Sequence, residues 1–411
     1  MKIGIIGLGY VGLITGVGFA SLGNKVFGID VDEKKVEKIN KGESPIYEKD
    51  LERKLKEIKE NFTATTKIEE LKDCEIIFIC VGTPSKEDGS IDLKYVKQAA
   101  EDISKILDSY KVIVVKSTVI PGTTESLIKI LGKKVGRDFG LAMNPEFLKE
   151  GSALKDFFEP DRIVVGSYDE KTKEILEELY KDFNCPKIFT NIKTAEMIKY
   201  ASNSFLATKI SFINEIGNIC KKLGIDVYDV AEGMGYDKRI GREFLNAGIG
   251  FGGSCFLKDM KALIAKAKEI GYDPKLLKEV IEINEKQPLK IIKLLKKHIP
   301  NLTGKEIGIL GLSFKTETDD IRESRAIPIV GKLLEEKAIV KVYDPKAMEN
   351  FKKLYPQIKY CSLDEVLNSE AILILTKWKE FENLNYKGKI VIDGRRILKA
   401  KEAKIYEGVC W

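Results

Sequence analysis

The stretch Lys2-Ile3-Gly4-Ile5-Ile6-Gly7-Leu8-Gly9-Tyr10-Val11-Gly12 decides the fold. Its first half is a short apolar run, as expected of a strand covered on both faces. Its second half is G-x-G-x-x-G. In such a turn the glycines permit a tight bend, close approach of backbone to a pyrophosphate, and close packing of helix on strand. Alone the pattern is weak. Here it follows a strand, opens a helical pattern, and is followed by Asp30 at the end of the next apolar run, Val26–Asp30. That acidic side chain suits a ribose diol and repels a 2′-phosphate, so the constellation predicts a dinucleotide site that prefers NAD to NADP.

Further apolar runs at Ile76–Val81, Val112–Lys116, Gly140–Met143 and Ile163–Gly166 alternate with amphipathic segments. This reads as a doubly wound, mostly parallel sheet. From Thr194 to about Leu223 the apolar residues Leu206, Ile210, Ile213, Ile216, Cys220 and Leu223 recur at helical spacing, with Gly224 as the stop. Two more helices are expected, from about Ser254 to Ile270 and from about Pro274 to Lys297. After the linker Pro300–Gly304 the alternation returns at Glu306–Leu310, Val340–Asp344, Ala371–Thr376 and Lys389–Asp393. The expected fold is therefore α/β: two Rossmann-like doubly wound domains, 1–193 and 301–411, joined by a long central helix and a helical middle domain, 194–300. The second α/β domain carries no G-x-G-x-x-G of its own.

Composition narrows the chemistry. The chain has 411 residues, 69 Lys and Arg against 63 Asp and Glu, and a net charge of +6. Without a basic block or basic–aromatic stripe, no nucleic-acid partner is expected. No apolar run approaches the ~20 residues of a membrane span. The chain opens on a strand pattern rather than a secretory signal, and the seven Cys lack metal-ligand spacing. A cytoplasmic protein with reduced thiols and no metal site is expected. The single His, His298, closes a helical stretch. Acid–base chemistry must then run on Lys, Asp, Glu, Cys or water.

Two groups of residues carry such chemistry. Five glycines fall within Gly241–Gly253, directly before Ser254-Cys255-Phe256-Leu257-Lys258-Asp259. Ser254 is expected to cap the next helix, with Cys255 in its first turn, where the positive end of the dipole favours a thiolate. Lys258 and Asp259 then share a face with the sulfur. Lys199 and Asn203 lie one turn apart on the long helix. Ser117-Thr118 and Asn144-Pro145-Glu146-Phe147-Leu148-Lys149-Glu150 each follow a strand, where open sheets bind ligands.

Taken together, GLGYVG (7–12), VGTP (81–84), KSTVIPGT (116–123), NPEFLKEG (144–151), KYASNSFLATKISFINE (199–215), RIGREFLNAGIGFGGSCFLKD (239–259), GLSFKTETDDIRES (311–324) and IDGRR (392–396) resemble the UDP-glucose/GDP-mannose dehydrogenase family over essentially the whole chain. Within that family the resemblance is to enzymes acting on UDP-glucose. It implies oxidation of the C6 alcohol of a nucleotide sugar to a carboxylate with two NAD per turnover. It also implies a homodimer through the central helix, with higher oligomers left open. Cys255 matches the nucleophile, Lys199 and Asn203 the pair bracketing C6, and Asp259 the partner carboxylate. Glu146 and Glu150 match the acidic loop, and Thr118 the holder of a water. Cofactor contacts fall on Gly7, Leu8, Gly9, Tyr10, Val11, Gly12, Asp30, Lys35, Thr83, Thr118, Glu150, Lys258 and Arg322. Substrate contacts fall on Phe147, Leu148, Lys149, Glu150, Lys199, Asn203, Asn246, Gly248, Phe251, Gly252, Phe314, Lys315 and Arg395, with Arg239 matching an arginine that reaches the neighbouring subunit's site.

The residue chemistry agrees with this. An aldehyde yields no second hydride until a nucleophile such as Cys255 makes it tetrahedral. Lys199 and Asn203 then stabilise charge on oxygen. Glu146 is the first choice for activating the hydrolytic water and Glu150 the second. GDP-mannose or a UDP-N-acetylhexosamine such as UDP-N-acetylmannosamine is the nearest alternative substrate. A single-oxidation dehydrogenase and a non-catalytic NAD-binding protein are the others.

Overall fold

The apolar runs form strands whose side chains are buried on both sheet faces, and the computed structural model describes residues 1–411. The chain folds into two compact units, Met1–Ser202 with Lys261–Glu269, and Asn203–Met260 with Ile270–Trp411.

The first unit holds an eight-stranded sheet in the order β3-β2-β1-β4-β5-β6-β7-β8. Its strands are β1 Lys2–Ile6, β2 Lys25–Ile29, β3 Phe62–Thr65, β4 Ile76–Ile79, β5 Val112–Val115, β6 Gly140–Met143, β7 Ile163–Ser167 and β8 Lys187–Thr190. All neighbours are parallel except β6 and β7. The four residues of β4 and the four of β5 are all buried, which explains why these strands read as unbroken apolar runs. Apolar cores lie on both faces of this sheet, one around Phe19, Phe78 and Phe157, the other around Ile77, Ile103 and Leu141.

The second unit holds a six-stranded parallel sheet in the order β11-β10-β9-β12-β13-β14. The strands are β9 Glu306–Leu310, β10 Ile339–Tyr343, β11 Lys359–Tyr360, β12 Ala371–Ile374, β13 Ile390–Asp393 and β14 Ile405–Gly408. The order repeats that of the first six strands of the other sheet, and so does the turn after the first strand. Gly7 has φ +92° and Gly311 has φ +97°. Leu8 N donates to Asp30 Oδ2 over 2.9 Å, and Leu312 N donates to Asp344 Oδ2 over 2.7 Å. The second domain thus builds a nucleotide-type turn from Gly311-Leu312-Ser313, without the second and third glycines.

The long helix runs from Ile192 to Leu223, two residues earlier than the periodicity suggested. A helix at Val227–Gly235 was not anticipated; Asp226 caps it by accepting from Tyr228 N. The expected helix from Pro274 to Lys297 is two helices, Lys275–Lys286 and Leu289–His298. Pro288 lacks an N–H and interrupts the ladder, and Gln287 closes the first helix at the break. No helix is long and apolar enough to cross a membrane.

Candidate functional site

In the first unit two of the three glycines in the Gly7–Gly12 turn leave no room for a side chain. A Cβ on Gly7 would lie 2.9 Å from Cys80 O, and one on Gly12 only 1.8 Å from Gly7 O. A Cβ on Gly9 would meet nothing within 4 Å, so the turn opens outward there. Gly9 precedes the helix Tyr10–Ser21 and offers no side-chain cap to its first N–H groups. An open, uncapped helix N-terminus behind a glycine turn fits a pyrophosphate. Asp30 is buried, with Oδ2 accepting from Leu8 N and, over 2.7 Å, from Lys35 Nζ, and Oδ1 accepting from Asp32 N. A carboxylate has about four acceptor positions, so capacity remains for a ribose hydroxyl. These residues fit NAD. Thr83 and Thr118 follow the adjacent strands β4 and β5 and are both half-buried.

The segment after β6 carries the acidic pair. Glu146 is buried, and its Oε1 accepts from Lys199 Nζ over 2.9 Å while Oε2 accepts from Leu148 N over 2.5 Å. Burial alone would push this carboxyl up, but the Lys199 ammonium overrides it and holds Glu146 below the usual carboxylate range. The Phe147 ring has the Arg162 guanidinium 3.6 Å and the Lys199 ammonium 5.3 Å from its centroid. Lys149 turns instead to Asp156, 3.1 Å away, and its side chain is exposed. Glu150 is half-buried and lies close enough to Tyr10 to help push its phenol up, after burial and Glu48.

Glu48 was not foreseen. It is buried, and its carboxylate accepts from Tyr10 OH, from Gly151 N over 2.7 Å and from Ala153 N over 2.9 Å. It fastens the glycine turn to the acidic segment. No periodicity in the stretch 43–50 marks it.

In the second unit Cys255 is exposed and forms no disulfide. The helix begins at Phe256, and Cys255 O accepts from Asp259 N over 2.8 Å, so Cys255 itself occupies the cap expected of Ser254. The expectation was one residue out, because a Gly-Gly-Ser approach gives no apolar mark for the first helical residue. Ser254 Oγ lies 3.6 Å from Cys255 Sγ. The sulfur still stands at the positive end of a helix, where a thiolate is favoured. Asp259 is 1% exposed, and its Oδ2 accepts from Asn203 Nδ2 over 2.7 Å while Oδ1 accepts from Lys258 Nζ over 2.6 Å.

Seven expected substrate residues line one cavity of about 320 Å³: Asn246, Gly248, Phe251, Gly252, Phe314, Lys315 and Arg395. Arg395 Nε donates to Leu375 O over 2.7 Å. Burial pushes its guanidinium down to about 10, which leaves it a cation at neutral pH. The same cavity adds Asn214, Glu243 and Phe244, which sequence reasoning missed. Phe244 holds φ 64°, a strained value for an aromatic residue, and its ring meets Phe256 edge-on. Arg239 and Arg322 stand apart from the cavity lining, exposed and paired with Asp237 and Asp320.

Comparison with known proteins agrees in every part of the chain. Models of the UDP-glucose/GDP-mannose dehydrogenase family match residues 1–184 (NAD binding domain), 193–286 (central domain) and 308–400 (UDP binding domain). UDP-glucose 6-dehydrogenase AglM of Haloferax volcanii is 43% identical over 100% of both chains. A UDP-glucose dehydrogenase from the hyperthermophilic archaeon Pyrobaculum islandicum superposes with a TM-score of 0.96 at 44% identity, covering 100% of this chain and 98% of that one. A UDP-D-ManNAc dehydrogenase from Pyrococcus horikoshii superposes with a TM-score of 0.89 at 31% identity, covering 100% and 99%.

Proposed function

Because the chain belongs to the UDP-glucose/GDP-mannose dehydrogenase family, we propose that it oxidises the C6 hydroxymethyl group of UDP-glucose to the carboxylate in two successive two-electron steps. Bound NAD supplies the hydride acceptor for each step. The observation that carries the reading is Cys255 at a helix N-terminus, exposed, with the Asn203–Asp259 hydrogen bond on the following turn.

The steps assign work to each side chain. C6 gives up a hydride while its hydroxyl proton passes through water to Asp259, since Lys199 is already an ammonium paired with Glu146. The Cys255 thiolate then adds to the aldehyde carbon. This forms a C–S bond and a tetrahedral thiohemiacetal, whose oxygen is stabilised by the Lys199 ammonium and the Asn203 amide. Loss of the second hydride from that carbon leaves a thioester. Water attacks the thioester carbonyl, its proton goes to Glu146, and the C–S bond breaks to return the thiolate. Glu146 is held ionised by Lys199, so the carboxylate is free of its own proton when the water attacks. In sum, one alcohol, one water and two NAD⁺ give one carboxylate, two NADH and three protons. Phe314, Lys315 and Arg395 hold the nucleotide diphosphate, with two cations for its charge.

A homodimer is part of the same proposal. The long helix leaves Phe205 64%, Phe212 43% and Ile219 51% exposed at heptad spacing. Such a stripe suits pairing with a second copy. Sedimentation of wild type against Phe212→Asp tests it, and a wild-type monomer removes it.

The deciding experiment is a substrate panel with NADH counted per sugar. Two NADH per UDP-glucose is the expected result. Turnover of UDP-N-acetylmannosamine or GDP-mannose without UDP-glucose would overturn the substrate assignment, and one NADH per sugar would overturn the double oxidation.

A further inference from the structure

The glycine-rich loop that walls the nucleotide cavity belongs to neither sheet, yet two of its residues have both their N–H and their C=O held by side chains. Asn214 Oδ1 accepts from Gly248 N over 2.7 Å, and Gln287 Nε2 donates to Gly248 O over 2.8 Å. Asn284 Oδ1 accepts from Phe251 N over 2.8 Å, and its Nδ2 donates to Phe251 O over 3.1 Å. All three amide side chains are 0% exposed. Asn214 comes from the long helix, Asn284 from the helix Lys275–Lys286, and Gln287 from the break before Pro288.

A side-chain amide offers one acceptor and two donors, so a single Asn can engage both polar groups of one residue as a strand neighbour would. Glycines make such a loop costly to order, since each loses more backbone freedom on folding than any other residue. They also let it approach the amides: a Cβ on Gly250, whose φ is +95°, would lie 2.6 Å from Asn284 Oδ1. Gln287 is itself oriented, since its Oε1 accepts from Asn218 Nδ2 over 2.9 Å.

We propose that Asn214, Asn284 and Gln287 are positioning residues for the nucleotide sugar. Their buried amides stand in for a missing strand and fix Gly248–Phe251, and through it the cavity wall and the run into Cys255. None of the three side chains needs to carry charge or take part in the chemistry. The inference rests on the proposed use of this cavity for a UDP-sugar, and it adds what holds the cavity in shape.

The test uses the full-length protein, with UDP alone as the binding probe and calorimetry as the readout. Asn284→Ala removes both bonds to Phe251. Gln287→Met keeps side-chain length and removes the bond to Gly248 O. Each is expected to weaken UDP binding at least tenfold and to raise KM for UDP-glucose in parallel. KM for NAD should stay within twofold, and UDP-glucose should lose its protection of Cys255 against iodoacetamide. If Asn284→Ala does not fold, Gln287→Met alone decides. Lower melting temperatures with unchanged UDP affinity would mean the amides only stabilise the fold, and would overturn the inference alone. Wild-type protein that binds no UDP would overturn the use of the cavity, and the inference with it.

Discussion

Lys199 donates to Glu146 over 2.9 Å with both side chains buried, so the first unit contains a desolvated ion pair in the segment proposed to carry the chemistry. Lys199 holds Glu146 ionised despite its burial. Removing one charge strands the other, which typically costs about 3–5 kcal/mol. Glu146→Gln keeps the acceptor atom and loses the base. It is expected to lower kcat by on the order of 100-fold, the scale of a general base. Acylated Cys255 should then accumulate, visible as a mass increase on the intact chain. A variant with slow turnover and no adduct would place the hydrolytic base elsewhere, with Glu150 as the next candidate.

Cys255→Ser separates the two oxidations. The hydroxyl lies at the same helix N-terminus, but it is a far weaker nucleophile at neutral pH than a thiolate. Steady-state NADH formation from UDP-glucose should fall at least 1000-fold, while NAD and UDP binding remain. Supplied with the C6 aldehyde, the variant should show no comparable oxidation. Wild-type rates with either substrate would remove the covalent step.

The residues that were legible from sequence are those whose chemistry is local. Gly7–Gly12 reads as strand, turn and helix because Gly7 and Gly12 answer contacts within the turn and with Cys80, while Gly9 leaves the turn open outward. Cys255 and Asp259 are legible as a pair because one helical turn relates them. What escaped notice depends on partners distant in the chain. Asp344 sits where Asp30 does, but Ser313 replaces the second glycine and donates its own hydroxyl to Asp344 Oδ2, so the second turn carries no fingerprint. Glu48 matters through Gly151 and Ala153, over a hundred positions away by sequence. The amides of Asn284 and Gln287 act on a loop reached only after the chain folds back. The short β11, two residues long, lacks the length for an alternation to show.

Asp393 gives the second sheet a pH signature. It is 0% exposed and accepts from Arg395 N over 2.7 Å, Ile397 N over 2.6 Å and Tyr406 OH over 3.1 Å. Burial outweighs these donors and pushes the carboxyl up to about 6. An unfolded Asp titrates near ~3.9, so between about 4 and 6 the native chain holds more protons than the unfolded one. The contribution is fully present below ~4 and is lost as pH rises through about 6, on the order of 3 kcal/mol. Urea midpoints of wild type and Asp393→Asn, followed from pH 4 to 7, should therefore diverge, with wild type losing ground as pH rises. Parallel curves would show that Asp393 is ionised throughout.

Lys116 behaves with the opposite sign. Its side chain is buried beside a cavity of about 60 Å³, with Nζ donating to Asn144 Oδ1 over 2.9 Å; Tyr180 OH donates to the same oxygen over 2.6 Å. Burial pushes the amine down to about 8, with Lys199 adding to the effect and Cys80 and Glu146 opposing it. An unfolded Lys titrates near ~10.4, so between about 8 and 10 the unfolded chain binds more protons and stability rises with pH, by up to about 3 kcal/mol. Lys116→Met has comparable volume and no proton to lose. Wild type should gain stability over this variant as pH is raised from 7 to 10, read as a growing difference in urea midpoint. A difference that stays constant across the range would show that the amine keeps its proton despite burial, held by Glu146 more firmly than the geometry implies.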